Sequence, residues 1–108
     1  MKIKEVTSEY IEFTDGTRIT YDHVRECCEC NYAYFEGIED SAYDEEFKQP
    51  LIIETIKGRG FRFGSIGFCS NMFFIPCYSE QNGYYTSELD IYYDGLFATR
   101  TDCEERIF

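Results

Sequence analysis

Between Tyr10 and Tyr21 the chain reads YIEFTDGTRITY, an alternation of apolar and polar positions interrupted by Asp15-Gly16. Alternation with a period of two is the mark of a strand with one buried face. Two hairpin registers compete. A two-residue Asp15-Gly16 loop pairs Phe13 with Arg18 and Ile11 with Thr20, which mixes the faces. A three-residue loop, Thr14-Asp15-Gly16, pairs Phe13 with Thr17, Glu12 with Arg18 and Ile11 with Ile19. The second register keeps Ile11, Phe13, Ile19 and Tyr21 on one face and sets Glu12 against Arg18 on the other. It predicts a type I turn with Gly16 left-handed at a bulge.

From Asp22 to Gln49 the alternation stops, carboxylates accumulate, and Gly37 and Pro50 punctuate. Tyr34, Ile38 and Ala42 fall at helical spacing with Phe35 and Tyr43 nearby, so one or two short acidic-faced helices are expected within residues 25–49. Strand composition returns in PLIIETI and GFRFGS, with Lys57-Gly58-Arg59-Gly60 as the turn between them. Residues 64–71 read as a loop.

In MFFIPCYSEQNGYYTSELDIYY, Asn82-Gly83 predicts a two-residue turn. Phe74, Pro76 and Tyr78 then share a face with Tyr85, Ser87, Leu89 and Ile91. Ile75, Cys77, Ser79 and Gln81 share the other with Tyr84, Thr86, Glu88 and Asp90, one face core and one wetter. Pro76 has no N–H to donate, which puts its strand near an edge or at a bulge. The tail GLFATRTDCEERIF reads as a short strand that frays. The expected fold is a single α+β domain over residues 1–108. Its antiparallel sheet has about five or six strands, partly covered by the 25–49 segment.

Composition sharpens this picture. Ten Phe and ten Tyr with no Trp make the chain too aromatic for a disordered one. Lys and Arg number 10 against 21 Asp and Glu, a net charge of −11. Such a chain repels phosphate backbones and anionic membrane surfaces, so no direct nucleic-acid or membrane partner is expected. An acidic face instead suits a protein partner with a basic surface, including the groove of a nucleic-acid-acting protein, although acidity serves solubility in most acidic proteins. MKIKEVTSEY carries no apolar run of the secretory kind, and a cytoplasmic location is expected, where thiols stay reduced.

His23, Cys27, Cys28 and Cys30 form H-x3-C-C-x-C. Zinc needs four ligands in a tetrahedron, usually from two separated pairs. Adjacent cysteines point apart, so a workable set is His23 with Cys27 or Cys28, completed by Cys30 or Cys77. Buried thiols packed as small hydrophobes explain the same residues more simply, and no cofactor is required. The Cys28-x-Cys30 pair lacks the thioredoxin spacing, and Glu26 and Glu29 oppose thiolate formation. A Cys27–His23 dyad is conceivable at helical spacing, yet a histidine closing the first hairpin is the plainer reading, so no catalytic residue is assigned.

YDHVRECCECNYAYFEG, followed by MFFIPCYSEQNGYYTSELDIYY, resembles an uncharacterised family of small bacteriophage and bacterial domains. The resemblance rests on His23, Cys27, Cys28, Glu29, Asn82, Gly83, Tyr84 and Tyr85 and spans about residues 10–94. Glu26 stands where the pattern has Asp, and Cys30 is additional. The resemblance implies a phage or mobile-element setting, and hence the host cytoplasm, but no chemistry.

Three surface candidates remain. Gln81, Asn82, Tyr84 and Tyr85 flank a turn that Asn-Gly alone explains, and tyrosines beside amides make good recognition surfaces. Arg59 and Arg62 lie in KGRGFRFG, a basic turn that could hold an anion but carries no phosphate-loop fingerprint. Asp44, Glu45 and Glu46 end an acidic run that lacks the calcium-loop spacing and whose default is a solvated face. The leading expectation is a small non-catalytic binding protein that inhibits or modulates a host defence or nucleic-acid-acting protein. One rival is a nucleotide-like small-molecule binder using Tyr84, Tyr85, Asn82 and Arg59 or Arg62. Another is a zinc- or thiol-dependent site at His23, Cys27 and Cys28.

Overall fold

The computed structural model describes residues 1–22, 30–67, 71–81 and 88–107. The first hairpin adopts the face-consistent register: Ile11 pairs with Ile19, and Glu12 with Arg18. The Phe13 N–H donates to Thr17 O at 2.9 Å, and Gly16 sits at φ 88°. This hairpin joins β2 (Tyr10–Phe13) to β3 (Arg18–Asp22), and an N-terminal strand, β1 (Ile3–Val6), pairs outside β2.

The following strands are β4 (Cys30–Ala33), β5 (Leu51–Ile56), β6 (Gly60–Ser65), β7 (Met72–Gln81), β8 (Glu88–Tyr93), β9 (Leu96–Asp102) and β10 (Glu104–Ile107). They form two five-stranded sheets, the first in the order β1-β2-β3-β8-β9. The second runs β10-β7-β6-β5, with β4 also paired to β7. All pairings are antiparallel except β10 with β7.

The fold is therefore mostly β rather than α+β, and none of the expected helices is found among the described residues. Among the described residues the 25–49 segment holds β4 and two single 3-10 turns, Phe35–Gly37 and Asp40–Asp44. The physical reason is packing: β4 is committed to β7, and Phe35, Ile38, Ala42 and Phe47 are buried while Tyr34 and Tyr43 are not, which is not one helical face whose burial could repay nucleation. Of the expected stripe, Ile38 and Ala42 point inward together with Phe35, whereas Tyr34 and Tyr43 are exposed, so the helical spacing is kept only in part.

The Asn82-Gly83 turn lies outside the described residues, but the sheet partners overturn the hairpin built on it. β7 pairs with β4, β6 and β10, while β8 pairs with β3 and β9. β7 and β8 thus belong to different sheets. β7 turns Phe73, Ile75, Cys77 and Ser79 inward, leaving Phe74 exposed and Pro76 and Tyr78 half-buried. β8 turns Leu89 and Ile91 inward, so the grouping of Phe74, Pro76 and Tyr78 with them fails. β7 is a central strand by its order in the sheet, but Pro76 sits where it changes partners, at the end of a stretch that pairs with β6 alone among the described strands, so its missing N–H meets a local edge. Residues 72–76 pair with β6, and residues 77–81 with β4 and β10. The tail does not fray but supplies β9 and β10, and the supposed loop at 64–71 begins inside β6.

The core combines inward residues of both sheets with the connecting segment. Phe47 is 1% exposed and stacks on Phe63, with centroids 5.5 Å apart and rings inclined 28°. Its edges meet Phe13 at 5.4 Å and Phe73 at 5.6 Å. The segment that was expected to lie on the sheet as helices thus plugs the space between the sheets with two aromatic rings, Phe47 and Phe35, the latter against Tyr21 and Phe61. At the other seam, β9 passes Cys103 and continues as β10 in the opposite sheet. Buried Thr101 marks the crossing: its hydroxyl meets Thr55 Oγ1 at 2.8 Å and donates to Gly60 O. A second tie is buried Asn31 of β4, whose Nδ2 donates to Glu88 O at 3.1 Å while Ser79 Oγ donates to its Oδ1 at 2.5 Å. No helix among the described residues is long and apolar enough to cross a membrane.

Candidate functional site

The two 3-10 turns follow from the inward anchoring of Phe35, Ile38 and Ala42, which leaves the intervening positions facing outward. Glu36, Glu39, Asp40 and Asp44 are all exposed. Among the described residues none of these four has an ion-pair partner within 4.0 Å. The result is an edge of uncompensated negative charge on a pinned backbone.

The neighbouring carboxylates singled out from the sequence behave differently. Glu46 pairs with the N-terminal ammonium at 3.2 Å, and Glu45 Oε1 accepts from Asn71 Nδ2 at 3.3 Å. Of Asp44, Glu45 and Glu46, only Asp44 is exposed with neither an ion pair nor a side-chain hydrogen bond among the described residues; Glu45 is half-buried and its amide partner carries no charge. The two arginines also separate. Arg62 directs Nε and one terminal nitrogen at Glu54 Oε2, at 2.9 and 2.7 Å, across the β5–β6 pair. Arg59 ends the turn between those strands, is exposed, and has no ion-pair partner among the described residues.

Arg59 instead borders an open slot of about 130 Å³ on the outer face of the second sheet, lined also by Phe74, Pro76, Tyr78 and Glu104. Its shape follows from strand register. Phe74, Pro76 and Tyr78 project from the same face of β7, and Pro76 is paired with Gly60, which adds no side chain. Glu104 of β10 is paired with Tyr78. Two rings therefore flank a floor made by the proline ring. Tyr78 is held by Tyr32 and Tyr34, with centroids 5.8 and 6.3 Å away. The slot adjoins the acidic edge, because a Cβ added at Gly37 would lie 3.5 Å from Pro76 Cγ.

The thiols divide between described and undescribed residues. Cys77 and Cys103 are free and buried. The neighbouring Cys103 thiol, and then burial, push the Cys77 thiol far above its ordinary range, as expected for a core thiol with no cation nearby. Among the described residues, no three His, Cys, Asp or Glu side chains are grouped to hold a metal ion. His23, Cys27, Cys28, Glu29, Asn82, Tyr84 and Tyr85, and the side chains of Cys30 and Gln81, lie outside the described residues.

The residues that sequence reasoning passed over as a site are Phe74, Pro76, Tyr78 and Glu104; the early carboxylates belong to the acidic run 36–46 that it offered as a docking face, without being singled out. The signal for the first three was present, since they share one face of a strand that has a different, more apolar face. No family model matches the chain, and no curated protein and no solved structure is found to be similar to it.

Proposed function

We propose that the chain is a non-catalytic binding protein that engages a basic surface of a partner protein through the edge carrying Glu36, Glu39, Asp40 and Asp44. The observation that carries this reading is that these four carboxylates are exposed and without an ion-pair partner among the described residues. Their backbone is fixed beforehand by Phe35, Ile38 and Ala42, so little ordering entropy is lost on binding. The net charge of −11 adds long-range attraction that speeds encounter with a cationic surface. A host nucleic-acid-acting or defence protein, met in the host cytoplasm, is a partner of the required charge. Among the described residues the slot beside Arg59, at about 130 Å³, is too small to enclose a nucleotide, since pockets for drug-sized ligands run to roughly 300–1,000 Å³.

The test is capture of partners from host lysate by the wild-type chain and by the triple variant Glu36→Lys, Glu39→Lys, Asp40→Lys, at two salt concentrations. A specific basic partner is expected on the wild type at about 50 mM salt. It should be lost at about 500 mM, where the screening length falls to several ångströms, and lost from the variant at either. A partner that ignores both the salt and the reversals would refute the reading.

A further inference from the structure

The slot between Phe74 and Tyr78 has features of an anchor pocket, and it uses none of the carboxylates of the acidic edge. Its size sets the scale. At about 130 Å³, and with a water occupying roughly 30 Å³ of liquid, it has room for about four waters, or one ring-sized group. Its chemistry sets the type. The floor and walls are the Pro76, Phe74 and Tyr78 rings, and Phe74 is 40% exposed although it lies mid-strand.

The rim carries one charge of each sign, Arg59 and Glu104. Neither has an ion-pair partner among the described residues. A cationic side chain entering the slot would gain from Glu104 and lose to Arg59, and an anionic one the reverse. A neutral ring bearing one N–H or O–H satisfies both. The ring packs on proline and between aromatics, its donor reaches the Glu104 carboxylate, and the backbone carbonyl behind it accepts from Arg59.

We infer that this slot is the anchor site for a tryptophan or tyrosine side chain of a partner protein. It rests on the proposed binding function, and it deepens that function by stating what the partner must present. Gly37 borders Pro76, so a basic segment carrying one such ring can meet the acidic edge and the slot together. Buried aromatic anchors beside a charged rim are the usual way an interface concentrates its affinity.

The experiment is a titration of the whole chain with N-acetyl-tryptophanamide, followed by NMR of the Phe74 and Tyr78 ring resonances. N-acetyl-prolinamide and N-acetyl-argininamide are run in parallel. Saturable shifts in the millimolar range are expected for the tryptophan probe, weakened about fivefold in Glu104→Gln, because a charge-assisted hydrogen bond at an open rim is lost. Phe74→Ala should abolish the shifts at Tyr78 while the thermal transition persists, since Phe74 faces outward. Shifts spread over unrelated residues, tighter binding of the arginine or proline probe, or no response to the tryptophan probe would each overturn the anchor assignment. Because the tryptophan probe carries no charge that the acidic edge attracts, and binding is read at Phe74 and Tyr78, failure here leaves the lysate result standing, and the converse also holds.

Discussion

Gly60 provides the sharpest test of how closely β6 lies against β7 within the second sheet. It opens β6 at φ 150°, and a Cβ built there would sit 2.2 Å from Ile75 O and 2.8 Å from Cys77 N. Both atoms are β7 backbone, which cannot rotate away as a side chain can. Restoring ordinary contact requires β6 to retreat by about 1 Å. That movement breaks the Cys77 N–H bond to Arg59 O, now 2.9 Å, and the Thr101 hydroxyl bond to Gly60 O. Each lost bond costs about 1 kcal/mol, and holding alanine in this backbone region adds about 1–3 kcal/mol. Gly60→Ala should therefore destabilise by about 3–5 kcal/mol, a large share of the roughly 5–15 kcal/mol available to a domain. Gly58 is the control, with φ 74° and nothing within 4 Å of an added Cβ. Gly58→Ala carries only the left-handed backbone cost of about 1–2 kcal/mol. Urea unfolding distinguishes them: with a slope of about 1.5 kcal/mol/M, the Gly60 variant should lose about 2–3 M in midpoint and the control about 1 M. Equal midpoints for the two variants would refute the account of the β6–β7 contact.

Two further outcomes are expected. Hydrogen bonding from Arg18, opposed by partial desolvation and helped by the charges of Arg18 and Lys4, holds the Glu12 carboxyl below its usual value. A carboxyl depressed in the folded state contributes stability above its unfolded value that is lost as pH falls through the folded one, so Glu12→Gln should flatten the fall in thermal midpoint below about pH 4.5; an unchanged slope would remove Glu12 from the acid response. Cys77 and Cys103 are buried and the Cys77 thiol is hard to ionise, so a maleimide should leave both unmodified in the native chain and label both after denaturation. Peptide mass mapping reads this directly, and native labelling of Cys77 would contradict its place in the core.

Local chemistry made the first hairpin legible to the level of register, because Gly16 and the Ile11–Ile19 face admit one solution. It also located the turn before Gly60, where Arg59 N–H bonds back to Ile56 O at 3.0 Å. What escaped was partner choice between strands far apart in the chain. An Asn-Gly step is a strong local turn signal, yet β7 already has β6, β4 and β10 on its edges, and nothing near residue 82 records that. β9 was hidden for a different reason. Leu96, Phe97 and Ala98 are all exposed while Thr101 is buried, so its pattern does not alternate as a half-buried strand should. For the site, charge density pointed to Asp44, Glu45 and Glu46, but uncompensated charge depends on neighbours, and the N-terminal ammonium that pairs with Glu46 is distant in sequence. The Phe74, Pro76 and Tyr78 face was visible as a stripe, and only the sheet pairing shows that it looks outward.

The interleaving of the sheets also has a consequence for synthesis. β3 ends at Asp22 and its partner β8 begins at Glu88, so one edge of β3 has no native neighbour until the ribosome has added the residues between them. At roughly 5–20 residues per second, that leaves an unpaired strand edge for about 3–13 s on every nascent chain. Such an edge recruits other strands. A chain arrested before Glu88 is therefore expected to aggregate or to occupy a chaperone, whereas the released chain closes both sheets upon itself.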